Sequence, residues 1–156
     1  MKKFGFTLVE ILVVIAILAV LAAVGIGAYS LSKRTITLDL EAEKIVSALH
    51  EMRNKSKIRT GCFGIAFKRG EPARVVEAEY KNPAAGCGQI EETKTFRLGG
   101  ALFDTTATVL FSPPDGKMTF KETEDQTLSV MLSFNGDYSV AEKITLDRAT
   151  GRIEKE

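Results

Sequence analysis

Histidine and cysteine are both scarce in this sequence, which contains one histidine, His50, and two cysteines, Cys62 and Cys87. So few of these residues are poor material for a zinc site or a catalytic triad. Ser112, Ser129 and Ser133 lie in strand or turn patterns without a nucleophile elbow, and no glycine-rich phosphate loop with a lysine is present. We therefore predict that the protein is not an enzyme and that it needs no metal or cofactor.

The sequence also lacks an excess of charge of either sign. It contains 21 lysines and arginines and 20 acidic residues, so the formal net charge is +1. A near-neutral surface argues against broad electrostatic capture of nucleic acid. We predict that a set of acidic residues lies in solvated loops, with a calcium-binding loop as the alternative. These residues are Glu91, Glu92, Glu122, Glu124 and Asp125.

Polar side chains are almost absent between Phe6 and Ala28, where only Thr7 and Glu10 occur. About 23 residues in a helix cover roughly 34 Å, enough to cross a hydrocarbon core of about 30 Å. Lys2 and Lys3 precede this run, and the positive-inside rule keeps their end cytoplasmic. The sequence therefore predicts a transmembrane half-helix over residues 6–29, with the remainder exported. Small residues near its end leave a conventional cleaved signal peptide as the alternative.

Glu10 is unusual because an ionised carboxylate inside hydrocarbon costs at least about 2.5 kcal/mol. No lysine, arginine or histidine lies within the apolar run to pair with it. A neighbouring chain must then supply the positive charge. The simplest source is the amine that a cut between Gly5 and Phe6 would create.

The residues from Lys2 to Glu10, KKFGFTLVE, resemble the class III signal of type IV prepilins and type II secretion pseudopilins. The resemblance implies that a prepilin peptidase cuts after Gly5, removes leader residues 1–5 and methylates Phe6. It also implies that Glu10 meets the terminal amine of an adjacent pilin subunit. The implied partners are other pilins, the peptidase, the inner-membrane assembly platform and membrane lipid. The implied location is a single pass through the inner membrane, with the C-terminal domain in the periplasm or outside, and then a filament.

One departure from that family concerns Gly27, near which many members have a proline. Gly25 and Gly27 are expected to loosen the helix instead, at about 1 kcal/mol each relative to alanine.

Residues 30–60 form a second, amphipathic half of the same helix, because apolar residues recur with gaps of four and three. These residues are Leu38, Ala42, Ile45, Leu49 and Met52. The helix is expected to end near Thr60 and Gly61. Its basic end, with Lys55, Lys57 and Arg59, suits the negative pole of the helix dipole; a binding patch is the alternative.

After Gly61 the pattern becomes extended, and residues 61–156 are predicted to form an antiparallel β domain on which the helix packs. The fold class is therefore α+β, and the family resemblance makes it pilin-like. The segment from Lys81 to Gly88 is predicted as a loop. The predicted strands cover residues 62–68, 73–80, 93–98, 108–111, 117–120, 127–134, 137–146 and 152–155.

Cys62 and Cys87 are an even pair in a chain that is expected to be exported. Such a pair persists as a disulfide outside the cytoplasm, so we predict that the two are bonded to each other. Two separate buried thiols are the alternative.

A narrower resemblance, to the GspH/FimT group of minor pilins and pseudopilins, lies in the turn after Phe111 and in the C-terminal hairpin at Gly151 and Arg152. It implies a structural subunit of a type IV pilus or a type II secretion pseudopilus. The FimT branch adds DNA uptake in transformation as the alternative function. That branch has a Gly-Arg-x-Arg pattern, but Glu154 stands here at the second arginine. Nucleic acid is therefore not an expected partner; its candidate contacts are Lys55, Lys57, Arg59 and Arg152.

Overall fold

A computed structural model of the chain describes residues 7–82, 86–95, 100–134 and 137–156. The chain divides into two compact units, Met1–Thr35 and Ile36–Glu156. The predicted cleavage site at Gly5 and Phe6 lies outside the described residues.

One helix, α1, runs from Leu8 to Ile58. It continues through Gly25 and Gly27 without interruption, as predicted for the join between its apolar and amphipathic halves. The predicted end near Thr60 and Gly61 was two to three residues too late, because Arg59 N–H closes the last turn on Lys55 O at 2.9 Å and the next strand already begins at Gly61. Within the residues described, no helical stretch has the length and apolar character of a membrane span.

Nine strands follow within the described residues, and their paired neighbours all run antiparallel. They form a first sheet in the order β3-β2-β1-β5-β6 and a second in the order β4-β7-β8-β9. The strands are β1 Gly61–Phe67, β2 Arg74–Asn82, β3 Gly86–Thr95, β4 Ala101–Phe103, β5 Ala107–Ser112, β6 Lys117–Lys121, β7 Thr127–Phe134, β8 Asp137–Asp147 and β9 Arg152–Lys155.

The third and fourth strands correct the sequence prediction. β3 occupies part of the predicted loop before Gly88 and ends at Thr95; the last residues of the predicted strand 93–98 lie outside the described part. The Gly-Cys-Gly sequence at the start of β3 suggested a turn. The strand nevertheless pairs with β2, and the pairing contains three register shifts of the kind that β-bulges produce. β4 was missed because three residues are too few to show alternation.

The main core joins the helix to both sheets. Leu38, Ala42, Ile45, Leu49 and Met52 are all buried, as their spacing predicted. They share one cluster with three groups of strand side chains: Phe63, Ile65 and Phe67 of β1, Val130 and Leu132 of β7, and Ile144 and Leu146 of β8. The predicted α+β architecture, a helix packed on antiparallel sheet, is therefore confirmed.

A smaller cluster stands apart from the main core. It contains Ala66, Val76 and Leu110, with Cys87 and Ile90 packed against it.

Cys62 is fully buried and is bonded to Cys87, as predicted. The disulfide links β1 to β3, which lie on either side of β2, and so restrains all three strands.

Candidate functional site

Thr7 begins the helix. Its hydroxyl oxygen accepts the Glu10 N–H at 3.3 Å, and its carbonyl accepts the Ile11 N–H at 3.3 Å. A side-chain oxygen that satisfies the third free N–H of a helix is an N-cap, and Thr-x-x-Glu is the sequence of a capping box. This role of Thr7 was not predicted, although the Thr-x-x-Glu spacing could have revealed it.

Glu10 lies in the first turn of α1 and is exposed. A carboxylate there is favoured by the positive end of the helix dipole by about 0.3–1 kcal/mol. The large apolar side chains from Leu8 to Leu21 are also exposed, each with between 50% and 75% of its surface accessible. Within one chain this part of the helix therefore has an acidic first turn and an uncovered apolar surface.

Three of the four candidate nucleic-acid contacts, Lys55, Lys57 and Arg59, lie at or just after the other end of α1. Lys55 forms an ion pair with Glu51 at 2.8 Å, and Arg152 on β9 forms one with Glu154. Lys57 and Arg59 are exposed. Two of the four predicted contact residues thus already have a carboxylate partner within the chain.

Arg53 is a structural residue that the sequence analysis overlooked. It donates from Nη1 to Gly151 O at 2.9 Å, and Gly151 is buried with φ +69°. A Cβ at Gly151 would lie 2.7 Å from Arg53 Nη2, and one at Gly116 would lie 2.9 Å from Arg53 Cγ. The β5–β6 and β8–β9 turns therefore both pack against Arg53 of α1. No local signal marked this, because the partner lies 98 residues away.

Three acidic side chains hold the β8–β9 hairpin in place: Asp147 at its turn, and Asp39 and Glu43 at its other end. The N–H groups of Thr150 and Ala149 donate to Asp147 Oδ1 at 3.0 and 2.8 Å, and they lower the pKa of Asp147. At the end of the hairpin, Lys155 bonds to Asp39 and contacts Glu43 at 3.4 Å. The hydrogen bond to Asp39 raises the pKa of Lys155.

The comparisons with known proteins bear on the N-terminal segment. Residues 1–26 match the prokaryotic N-terminal methylation motif. The segment is a type IV pilin-like prepilin signal. No curated protein and no solved structure matches the chain.

The methylation motif contains Gly5, Phe6 and Glu10 and implies processing by a prepilin peptidase, membrane anchoring and pilin subunits as partners. The individual roles of these three residues remain predictions. His50 is exposed on α1. Among the side chains that the structure describes, no three of His, Cys, Asp and Glu are grouped as metal ligands would be.

Proposed function

We propose that the protein is a minor pilin or pseudopilin, a structural subunit of a type IV pilus or of a type II secretion pseudopilus. The observation that carries this proposal is the methylation motif at residues 1–26, which leads directly into a helix with exposed apolar side chains. Such a surface is stable only when lipid or other subunits cover it. The N-terminal helix would then pack into the filament while the sheet domain, residues 61–156, is presented outside.

Membership of the GspH/FimT group is part of the same proposal. It is supported by the two turns that carried the resemblance, because Gly116 and Gly151 both lie against Arg53. Arg53 lies so close to both turns that a side chain larger than that of glycine would collide with it in either turn.

We place the chain in the inner membrane as a single pass before assembly, with its sheet domain in the periplasm or outside. Lys2 and Lys3 support this orientation. The Cys62–Cys87 disulfide supports export, since disulfides persist in oxidising compartments. Lipid and the inner-membrane assembly platform would be partners at this stage.

Neither catalysis nor DNA binding is part of the proposal. The described contacts give no support to the DNA alternative, because Glu154 pairs with Arg152 and Glu51 pairs with Lys55.

Intact-mass spectrometry of the protein isolated from membranes and from sheared filaments tests the proposal. The expected mature chain begins at Phe6, is N-methylated and is present in the filament fraction. A mature start near Ser30, or absence from every filament fraction, would refute it.

A further inference from the structure

The start of β3 lies closer to β1 than its place in the first sheet requires. β2 separates these two strands, and next-nearest strands of a flat sheet are about 9.6 Å apart. The Cα atoms of Cys62 and Cys87 are only 5.9 Å apart. The pairing of β3 with β2 shifts register on both sides of Tyr80, the residue opposite Cys87. The first residues of β3 therefore bend toward β1.

This part of β3 packs on the face of the sheet that points away from the helix. The small cluster against which Cys87 and Ile90 pack consists of Ala66, Val76 and Leu110. The residue before each of these three belongs to the main core around the helix. Successive side chains of a strand point to opposite faces, so the small cluster is on the far face. The start of β3 thus packs against apolar side chains of three other strands.

The two cysteines differ in their access to solvent. Cys62 is fully buried and lies on β1, an inner strand between β2 and β5. Cys87 is partly exposed and lies on β3, which ends the order of its sheet. Beside it, no atom of the described residues lies within 4 Å of a Cβ placed at Gly86. Another molecule can therefore approach Cys87 but not Cys62.

This difference matters for how the bond is made. A disulfide forms by attack of a thiolate on an existing disulfide, through a mixed disulfide, and the rate depends on access to the sulfur. One cysteine of the pair must meet the oxidant, and we call it the entry cysteine. The other, the resolving cysteine, needs to reach only the entry cysteine within its own chain.

The oxidant belongs to a definite chemical class if the sheet domain is exported. The bacterial periplasm is kept oxidising by proteins that carry a reactive disulfide, and not by a pool of small disulfides. A protein needs more room than a small molecule, which strengthens the requirement for an accessible entry cysteine on an edge strand.

We propose that a protein with an oxidised dithiol oxidises this chain, with Cys87 as the entry cysteine and Cys62 as the resolving cysteine. The Cys87 thiolate attacks one sulfur of the oxidant, whose second sulfur leaves as a thiolate. The Cys62 thiolate then attacks Cys87 Sγ and displaces the first sulfur. Two electrons pass to the oxidant, and its two thiolates take up the protons that the cysteines lose. The inference rests on the export that the proposed function includes.

Single-cysteine variants of the full-length chain test the assignment in cells. Free thiols are alkylated at harvest, and adducts that dithiothreitol releases are identified by mass spectrometry. Cys62→Ala should accumulate a mixed disulfide between Cys87 and a dithiol protein, because the resolving thiol is missing. Cys87→Ala should carry about tenfold less adduct, because access to Cys62 is poor. Equal amounts, an excess at Cys62, or no protein adduct at Cys87 would overturn the proposal.

The reduced wild-type chain gives a second measurement that needs no cysteine variant. The full-length protein in detergent is exposed briefly to N-ethylmaleimide, and labelling of the two cysteines is compared within the same digest. Cys87 should be labelled about tenfold faster than Cys62 in native buffer and at a similar rate in urea, where burial is lost. Equal native rates would contradict the assignment.

Ile90→Ala tests whether the packing of β3 causes the difference. It weakens the contact with the small cluster, so labelling of Cys62 should rise about fivefold while labelling of Cys87 stays constant. Ile153→Ala is the matched control, because it truncates a partly buried isoleucine of β9, in the other sheet, that packs against the main core. The same rise in both variants would contradict the proposal.

Disulfide content and filament incorporation separate this inference from the proposed function. If the wild-type chain is oxidised and enters filaments but Cys87 is not preferred, the inference fails and the subunit role stands. If Cys87 is preferred but the protein is absent from filaments, the entry role stands and the subunit role fails. Free thiols at both positions in protein taken from cells would overturn the inference and export together.

Discussion

At the scale of single residues, Glu10 combines a local role with a proposed role between chains. Its position in the first turn gains about 0.3–1 kcal/mol from the helix dipole when exposed, as it is in one chain. In a filament the same carboxylate can meet the Phe6 amine of a neighbour, where a lower dielectric strengthens the pair. The larger effect is therefore realised only on assembly.

We expect Glu10→Ala to leave processing and membrane level normal while incorporation into sheared filaments falls sharply. Glu10→Asp should be intermediate, because the shorter side chain reaches less far. Thr7→Ala is the matched control: it removes the cap, at a cost of about 1 kcal/mol, but keeps the carboxylate, so incorporation should change little. Immunoblots of membrane and filament fractions measure both. Normal incorporation of Glu10→Ala would show that the carboxylate has no assembly role.

Gly151 is the residue whose substitution should cost most in the C-terminal hairpin. Gly151→Ala adds a Cβ 2.7 Å from Arg53 Nη2 at a position with φ +69°. We expect a loss of about 1–3 kcal/mol in the free energy of unfolding, measured by urea denaturation. Gly70→Ala is the control, because Gly70 has φ +73° but no atom within 4 Å of the added Cβ. Equal losses at the two glycines would mean that the contact with Arg53 contributes nothing.

At the scale of elements, local patterns predicted what local interactions determine. The four-three spacing from Leu38 to Met52 predicted the buried face of α1, and the extended pattern after Gly61 predicted β1 and most later strands. The start of β3 was missed because its pairing with β2 and its disulfide override two glycines that suggest a turn. Arg53 was missed because its contacts come from distant turns. The N-terminal signal could be predicted from the sequence because the residues of its motif follow one another along the chain.

The disulfide should stabilise β3 more than any other element, because it ties this edge strand to β1. Closing a loop of about 26 residues implies roughly 3.5 kcal/mol in the chain-entropy model. We expect the Cys62→Ala, Cys87→Ala double variant to lose about that much stability and to lose hydrogen-exchange protection first in Gly86–Thr95. Wild-type protein reduced with dithiothreitol is the control and should behave alike. Unchanged unfolding midpoints after reduction would refute the prediction.

At the scale of the whole molecule, charge is nearly balanced overall but unevenly distributed. Formal net charge is +1, yet three carboxylates, Glu77, Glu79 and Glu91, line one recess of the first sheet. A balanced total weakens attraction to a uniform polyanion, whereas separated patches favour partners with complementary patches. This distribution does not favour binding along a phosphate backbone.

We therefore expect the full-length chain in detergent to bind duplex DNA no more tightly than about 1 µM at physiological salt, the limit of ordinary nonspecific binding. Fluorescence anisotropy across a salt series measures both affinity and its salt dependence. Of the four candidate contacts, Lys55 and Arg152 are paired within the chain, which leaves Lys57 and Arg59 to meet phosphates.

Glu154→Arg makes this prediction sharper, because it removes the partner of Arg152 and restores the Gly-Arg-x-Arg pattern. Two cations then become available, so affinity should rise and the slope of log K against log salt should steepen by about 2. Glu91→Arg makes the same charge change at an exposed residue of β3, in the other sheet, and should have a smaller effect. Submicromolar binding by the wild-type chain that disappears in Arg152→Ala would favour DNA uptake over the purely structural role, because Arg152 would then bind phosphate despite its pairing with Glu154.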